Sequence, residues 1–203
     1  MAFYSDVILP RLCDLAMRNK HLVPYRKRVI KAAEGRVLEI GAGSGRNLPF
    51  YGSAAKQILA LEPSPKLVAM ARSVQHSEIP VSFLEASAET IPLDDHSIDT
   101  VVTTWTLCTI PQTAIALSEM RRVLRPGGKL LFVEHGLASD EGVRWWQDRL
   151  TPPWKSISGG CHLNRPIRAM IEAAGFRIDR IATGYMPGLK PMTFMYEGSA
   201  QPG

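Results

Sequence analysis

Short apolar runs alternate with amphipathic stretches along most of the chain. Residues 36–40, 57–61, 81–84, 98–103 and 129–134 are rich in Val, Ile and Leu, as buried strands are. Between these runs the apolar positions recur at helical spacing. Leu67, Val68, Met70 and Ala71 mark a helix over 65–75, and residues 112–123 form another, ended by Arg125-Pro126-Gly127-Gly128. Helices are also expected at about 3–18, 23–33, 141–150 and 164–174, with Gly35 and Gly175 as stops, and a helix or turn at 46–55. Residues 176–183 and 192–197 read as two final strands joined by Gly184, Pro187, Gly188 and Pro191. Strands separated by helices imply parallel β-α-β units in an α/β domain. The last pair has too short a connection for a parallel crossover, so it is expected to be antiparallel. Gly198 to Gly203 read as a flexible tail.

Composition narrows the class. A chain of 203 residues, 45% of them hydrophobic, is about one domain with a sizeable core. No apolar stretch approaches the roughly 18 residues of a membrane span, and the start lacks the pattern of a secretory signal. Cys13, Cys108 and Cys161 are far apart and form no CxxC pair, so neither a disulfide framework nor a metal site is expected, and a reducing cytoplasm is the expected location. The formal charge is +5, with Arg18, Lys20, Arg26, Lys27, Arg28 and Lys31 close together. This cluster reads as a solvated helix face or as a patch for an anionic surface; no nucleic-acid partner is expected.

The chemistry begins at Glu39-Ile40-Gly41-Ala42-Gly43-Ser44-Gly45, between a strand and the next segment. Glycines there let the backbone turn tightly and approach a ligand. A dinucleotide loop would carry a third glycine where Arg46 stands, so a nicotinamide enzyme is disfavoured. Glu62, at the end of the second strand, supplies a carboxylate that can accept from two ribose hydroxyls.

With Glu39 in front, the loop resembles motif I of the class I S-adenosylmethionine-dependent methyltransferases. Glu62-Pro63-Ser64-Pro65 is similar to that family's segment after the second strand. Ala86-Ser87-Ala88-Glu89-Thr90-Ile91-Pro92-Leu93 resembles its adenine-bordering segment, with Ser87 in place of the usual aspartate. Residues 95–102 and 121–128 match two further segments, in which Asp99 and the Arg-Pro-Gly-Gly turn are architectural. The resemblance implies a Rossmann-like, mostly parallel seven-stranded sheet with a C-terminal antiparallel hairpin and helices on both faces. It implies S-adenosyl-L-methionine as cofactor, with Glu39, Gly41, Ala42, Gly43, Asn47, Glu62, Pro63, Ser87, Ala88, Glu89 and Thr104 around it. Residues 1–35 are expected to cap the site of this single domain.

Downstream segments resemble one branch, the methyltransferase-like thiol S-methyltransferases. They are Gly43 to Tyr51 (including Asn47 and Phe50), Thr104-Trp105-Thr106-Leu107-Cys108, Trp146 to Trp154, and Gly160-Cys161-His162-Leu163-Asn164-Arg165. The branch's apolar N-terminal anchor has no counterpart here, so a cytoplasmic relative is expected, with peripheral membrane contact through short segments such as Val7-Ile8-Leu9. What the resemblance implies is methyl transfer to a small lipophilic acceptor, a thiol first. Trp105 is expected either to wall the substrate pocket or to fill the core. Trp145 and Trp146 would form a lid or pack on the sheet, and Cys108 would line the pocket or be an inert buried thiol. His135, just past the fifth strand, is the candidate proton acceptor, with a structural histidine as the other reading. A phospholipid amine or quinone acceptor is the alternative reaction, and a non-catalytic cofactor-binding or RNA-associated module the alternative class.

Overall fold

The computed structural model describes residues 4–74 and 78–203. Seven strands form one sheet: β1 (Gly35–Ile40), β2 (Ala55–Leu61), β3 (Val81–Leu84), β4 (Ile98–Thr104), β5 (Leu124–His135), β6 (Phe176–Tyr185) and β7 (Phe194–Pro202). Their order is β3-β2-β1-β4-β5-β7-β6. The first five pair in parallel, and β7 runs antiparallel between β5 and β6. This is the α/β, Rossmann-like sheet with a C-terminal antiparallel hairpin that the sequence predicts. The chain reverses direction across β1, with β2 on one side and β4 on the other, and such a switch point opens a crevice at the carboxyl ends of the strands.

Side-chain alternation along the central strands builds two cores. Leu38 and Ile40 of β1, with Leu130 and Phe132 of β5, pack on one face. They meet Ala116, Leu117 and Met120 of α4 (Thr113–Val123) and Ile167 and Ile171 of α6 (Ile167–Ala173). Val37, Val102, Leu131 and Val133 point to the other face and meet Val29 and Ile30 from α2 (Val23–Val29) and the turn after it. Of the N-terminal segment, α1 (Leu9–Met17) and α2, it is α2 and the turn after it that pack on this second face. The remaining helices are α3 (Pro65–Val74), α5 (Glu141–Ile157) and α7 (Lys190–Thr193). Phe3 and Gln75, the outer residues of two expected helices, lie outside the described residues.

Three boundaries differ from the sequence reading. Over 46–55 the helix is confined to Leu48–Phe50, a short 3-10 turn, with further turns at 46–47 and 53–54. The turn follows Gly45, held at φ +76°, and the chain enters β2 at Ala55. The expected tail is a correction: Gly198 to Pro202 belong to β7 and pair with β6, while Gly198 to Ala200 also pair with β5. Gly198 looked like a strand end but is required there, because a Cβ would run into the Arg180 carbonyl and come within 2.7 Å of Phe132 Cζ. Finally, α5 continues through Pro152 and Pro153 to Ile157. Prolines inside a helix forfeit backbone hydrogen bonds; on the turn just before them Thr151 is buried, its hydroxyl donating to the Gln147 carbonyl at 2.6 Å.

Candidate functional site

The carboxyl ends of β1, β2, β4 and β5 converge on the glycine loop. Gly41, Gly43 and Gly45 all have positive φ, at +65°, +57° and +76°. The three glycines serve different ends. A Cβ on Gly41 would meet Thr106 at 2.5 Å, and one on Gly45 would press on Ala71 of α3 and on Leu48 at 3.1 Å. At Gly43 a Cβ would meet only the Gly41 carbonyl oxygen, 3.9 Å away. The first and third glycines thus close the packing, while the second leaves an open cradle of bare backbone, as a ligand-approach position requires. Arg46 does not crowd this loop, because its side chain turns away to Asp14.

Glu62, just past β2, is buried beside the cradle. One carboxylate oxygen accepts from Gly43 N and the other from Ser64 N, both at 3.0 Å. Burial lifts the carboxyl above its ordinary value, and the two backbone donors oppose this. Pro63 beside it is exposed. Past β3, Ser87 is exposed and its hydroxyl donates to Glu89 at 2.8 Å, while Ala88 is buried. Glu89 also accepts from Gln112 N at 2.8 Å, which ties this segment to the start of α4.

Glu39 faces the other side of the loop. It is fully buried, with Oε1 accepting from Asn47 Nδ2 at 2.9 Å and Oε2 from Tyr51 OH at 2.8 Å. Asn47 Nδ2 also donates to Thr104 Oγ1 at 2.9 Å, and Asn47 Oδ1 accepts from Arg26 Nε at 2.9 Å. Glu39, Asn47, Thr104, Tyr51 and Arg26 thus form one buried polar network. Burial pushes Glu39 up to about 7, although the bonds from Tyr51 and Asn47 and the Arg26 charge all pull it down.

The N-terminal segment is bonded to this centre at two points. Asp14 of α1 is buried and accepts from Ser44 Oγ in the glycine loop at 2.6 Å, from Arg46 at 2.7 Å and from Arg18 at 2.7 Å. Burial alone would raise its carboxyl; these donors hold it below the usual range. Arg26 of α2 is buried over the Trp105 ring, 5.1 Å from its centroid, and Tyr25 packs edge-on to the same ring at 6.5 Å.

Trp105 sits at the end of β4 with φ +51°, a costly conformation for a bulky residue. Its backbone N–H donates to the Val133 carbonyl at 2.8 Å, which prevents relaxation. The buried carboxylate of Glu134 completes the turn, accepting from Thr103 Oγ1 at 2.8 Å and from the backbone N–H groups of Thr106 and Leu107 at 3.2 Å each. The strained turn thus sits at the carboxyl end of a central strand, held by a buried acid.

The structure also gathers residues that sequence spacing kept apart. His135 Nε2 lies 3.2 Å from Cys161 Sγ, and Cys108 Sγ donates to the Trp105 carbonyl at 3.5 Å. The thiol and imidazole ligand atoms of Cys108, His135 and Cys161 all lie within 4.8 Å of one another. The adjacent Cys108 side chain, then His135, draws Cys161 below the ordinary thiol range against burial, while Cys108 is pushed well above it. His135 was the candidate proton acceptor, but its Nε2 is engaged by Cys161 and its Nδ1 is buried.

Trp145 and Trp146 are not brought to this cluster. Both are about half exposed on α5, with Arg149 over Trp145. Trp146, with Leu150, Leu189, Pro191 and Met192, lines an apolar groove of about 310 Å³. Sequence reasoning missed Asp14, Arg26, Tyr51 and Glu134. For Asp14, Arg26 and Glu134 a charge within an otherwise apolar segment was the only signal, which does not reveal a partner; Tyr51 stood in the segment that resembles the thiol S-methyltransferases, without a role.

Comparison with known proteins agrees with this geometry. Residues 38–132 match the family model described as a methyltransferase domain. The chain is 37% identical over 152 residues to thiol S-methyltransferase TMT1B of Rattus norvegicus, covering 70% of this chain and 60% of that protein. It is 35% identical over 116 residues to the phosphatidylethanolamine N-methyltransferase of Cereibacter sphaeroides, covering 56% of each. The chain thus spans about 60% of the length of these relatives. Among solved structures, the methyltransferase in complex with the Haloferax volcanii Trm112 methyltransferase activator superposes with a TM-score of 0.72 over 99% of this chain and 96% of that one, at 19% identity, a likeness of fold. No described helix is long and apolar enough to cross a membrane. Sheet order, glycine loop and the match over residues 38–132 together make this chain similar to the class I S-adenosylmethionine-dependent methyltransferases.

Proposed function

We propose that this protein transfers a methyl group from S-adenosylmethionine to a small lipophilic acceptor, a thiol first. The observation that carries the reading is the bare-backbone cradle at Gly43 beside the buried Glu62 carboxylate. When bound, S-adenosylmethionine supplies an electrophilic methyl on a sulfonium sulfur. In this reading Gly41, Ala42 and Gly43 offer backbone to its methionine end, and Glu62 accepts from its ribose hydroxyls. Ser87, Ala88 and Glu89 border the adenine. Glu39, Asn47 and Thr104 hold the floor, and Arg26 adds a cation beside the loop.

The rest of the work is positioning. Trp105, fixed by Glu134 and covered by Tyr25 and Arg26, walls the place where donor and acceptor meet and keeps water from it. A thiol has an ordinary pKa of about 8.5, so it reaches its nucleophilic thiolate near neutrality without a strong base. His135 is therefore not needed as one, consistent with the engagement of its Nε2 by Cys161. The thiol preference is supported by the TMT1B relative.

A phospholipid amine is the second reading. Ile8, Leu12 and Leu15 are exposed around α1 beside the exposed Arg11 and Arg18, a face suited to an anionic lipid surface, and one relative acts on phosphatidylethanolamine by name. Incubation with methyl-labelled S-adenosylmethionine and a panel of alkyl thiols, phenols, amines and phosphatidylethanolamine vesicles separates the readings. Label on thiols is the expected result. Label on amines or lipid and never on thiols overturns the thiol assignment, and no label on any acceptor, with salt-dependent RNA binding, favours a non-catalytic module.

A further inference from the structure

The Cys108–His135–Cys161 cluster has a chemistry that the methyl-transfer reading leaves unused. Its residues come from three separate segments: the turn after β4, the last residue of β5 and the loop after α5. Both cysteines are buried, and His135 is half-buried. The ligand atoms lie within 4.8 Å of one another, with 3.2 Å between His135 Nε2 and Cys161 Sγ.

Hydrogen bonds lace the three segments together independently of the thiols. His162 N donates to the Cys108 carbonyl at 2.9 Å, which fixes the Cys161 loop to the Cys108 turn. Leu137 N donates to the Arg165 carbonyl at 2.8 Å, tying the exit of β5 to the same loop. Arg165 donates to the Leu107 carbonyl, and Glu134 grips the N–H groups of Thr106 and Leu107. These bonds hold the three segments in place around the cluster, while His135 Nδ1 is buried with no hydrogen-bond partner among the described residues.

We propose that Cys108, His135 and Cys161 are three protein ligands of a tetrahedral Zn²⁺ site. Zn–S and Zn–N distances of about 2.3 and 2.0 Å set ligand atoms about 3.5–3.8 Å apart in a tetrahedron. The 3.2 Å between His135 Nε2 and Cys161 Sγ is close to that, and the other separations, at most 4.8 Å, must close by no more than about 1.3 Å. Two sulfurs and an imidazole select Zn²⁺ over Mg²⁺ or Ca²⁺, which take oxygen ligands. Two thiolates neutralise the ion, which makes its burial tolerable. Three protein ligands leave the fourth position to water or to a small thiol, the arrangement of reactive rather than purely structural zinc sites. The site stands whether or not the acceptor assignment above does.

The test uses the full chain, stripped by a chelator and kept reduced with a phosphine, with Co²⁺ as the spectroscopic probe. The expected result is a sulfur-to-cobalt charge-transfer band with intense tetrahedral d–d absorption, saturating at about one ion per chain and abolished by added Zn²⁺. Cys161→Ser and Cys108→Ser each lose about half of the charge-transfer intensity and the double variant all of it, His135→Gln shifts the d–d bands, and Cys13→Ser changes nothing. Zn²⁺ should also raise the melting temperature of the parent protein and leave that of Cys161→Ser unmoved. Circular dichroism identifies any variant that fails to fold, and the melting comparison on the remaining ones then decides. A folded, reduced parent protein with no charge-transfer band overturns the proposal, as does a band that survives both cysteine substitutions.

Discussion

Replacing Glu39 with glutamine should change how stability depends on pH. Glu39 sits in the floor of the site with no exposure to solvent, and burial lifts its carboxyl from 4.5 to about 7. Between those values the folded chain holds a proton that the unfolded chain has released. The contribution is therefore fully present below pH 4.5 and is lost as pH rises through 7. Each pH unit in that interval is worth about 1.4 kcal/mol, so the whole interval removes about 3 kcal/mol. Glutamine keeps the volume, and its amide can serve Asn47 and Tyr51 while carrying no charge. Urea unfolding followed by circular dichroism at pH 5 and pH 9 reads the difference. Glu39→Gln should lose about 3 kcal/mol less than the parent between the two pH values. Glu62, whose carboxyl is also raised by burial, is present in both proteins and cancels to first order. Identical pH dependence in the two proteins would refute the reasoning, because Glu39 would then not be desolvated as its surroundings imply.

Two glycines should separate stability from binding. Gly41→Ala meets Thr106 as well as an unfavourable φ and should cost about 2–3 kcal/mol of stability, whereas Gly43→Ala pays only for φ, about 1 kcal/mol, and should lose at least about tenfold in cofactor affinity; denaturation and calorimetry on both variants check the split. Asp14→Asn should loosen α1 from the glycine loop at a cost of about 1–2 kcal/mol, modest because Arg18 and Arg46 are partly exposed, and hydrogen exchange should quicken over Leu9–Met17 and not in β1. Unchanged exchange in α1 would count against Asp14 as its tether.

The parallel strands were legible because β1, β2 and β4 are mostly buried and carry short Val, Ile and Leu runs: Val37-Leu38, Ile58 to Leu61 and Val101-Val102. The glycine loop was legible because positive φ at Gly41, Gly43 and Gly45 leaves a residue-type signature. What escaped the sequence depends on tertiary partners. The pairing of β7 continues through Gly198 because β5 and β6 flank it, although glycine by itself favours an end. Arg26 read as part of a basic cluster, a solvated face or a patch, and Asp14 carried no signal, until the fold set Asp14 on Ser44 and Arg26 on Asn47. The Cys108, His135 and Cys161 group has no short spacing to announce it, so the expectation of no metal site rested on local sequence alone. Trp145 and Trp146, read as a lid or as packing on the sheet, lie about half exposed on α5.

The central claim is that the cradle at Gly43 and the carboxylate of Glu62 bind S-adenosylmethionine. Isothermal titration calorimetry of the folded chain with S-adenosylhomocysteine tests it without requiring any acceptor. One site per chain is the predicted result, with Glu62→Ala weakening binding about 100-fold, the loss of charge-assisted hydrogen bonds worth about 3 kcal/mol. Absence of binding by folded protein would contradict the account; full affinity in Glu62→Ala would move the ribose contact to another residue.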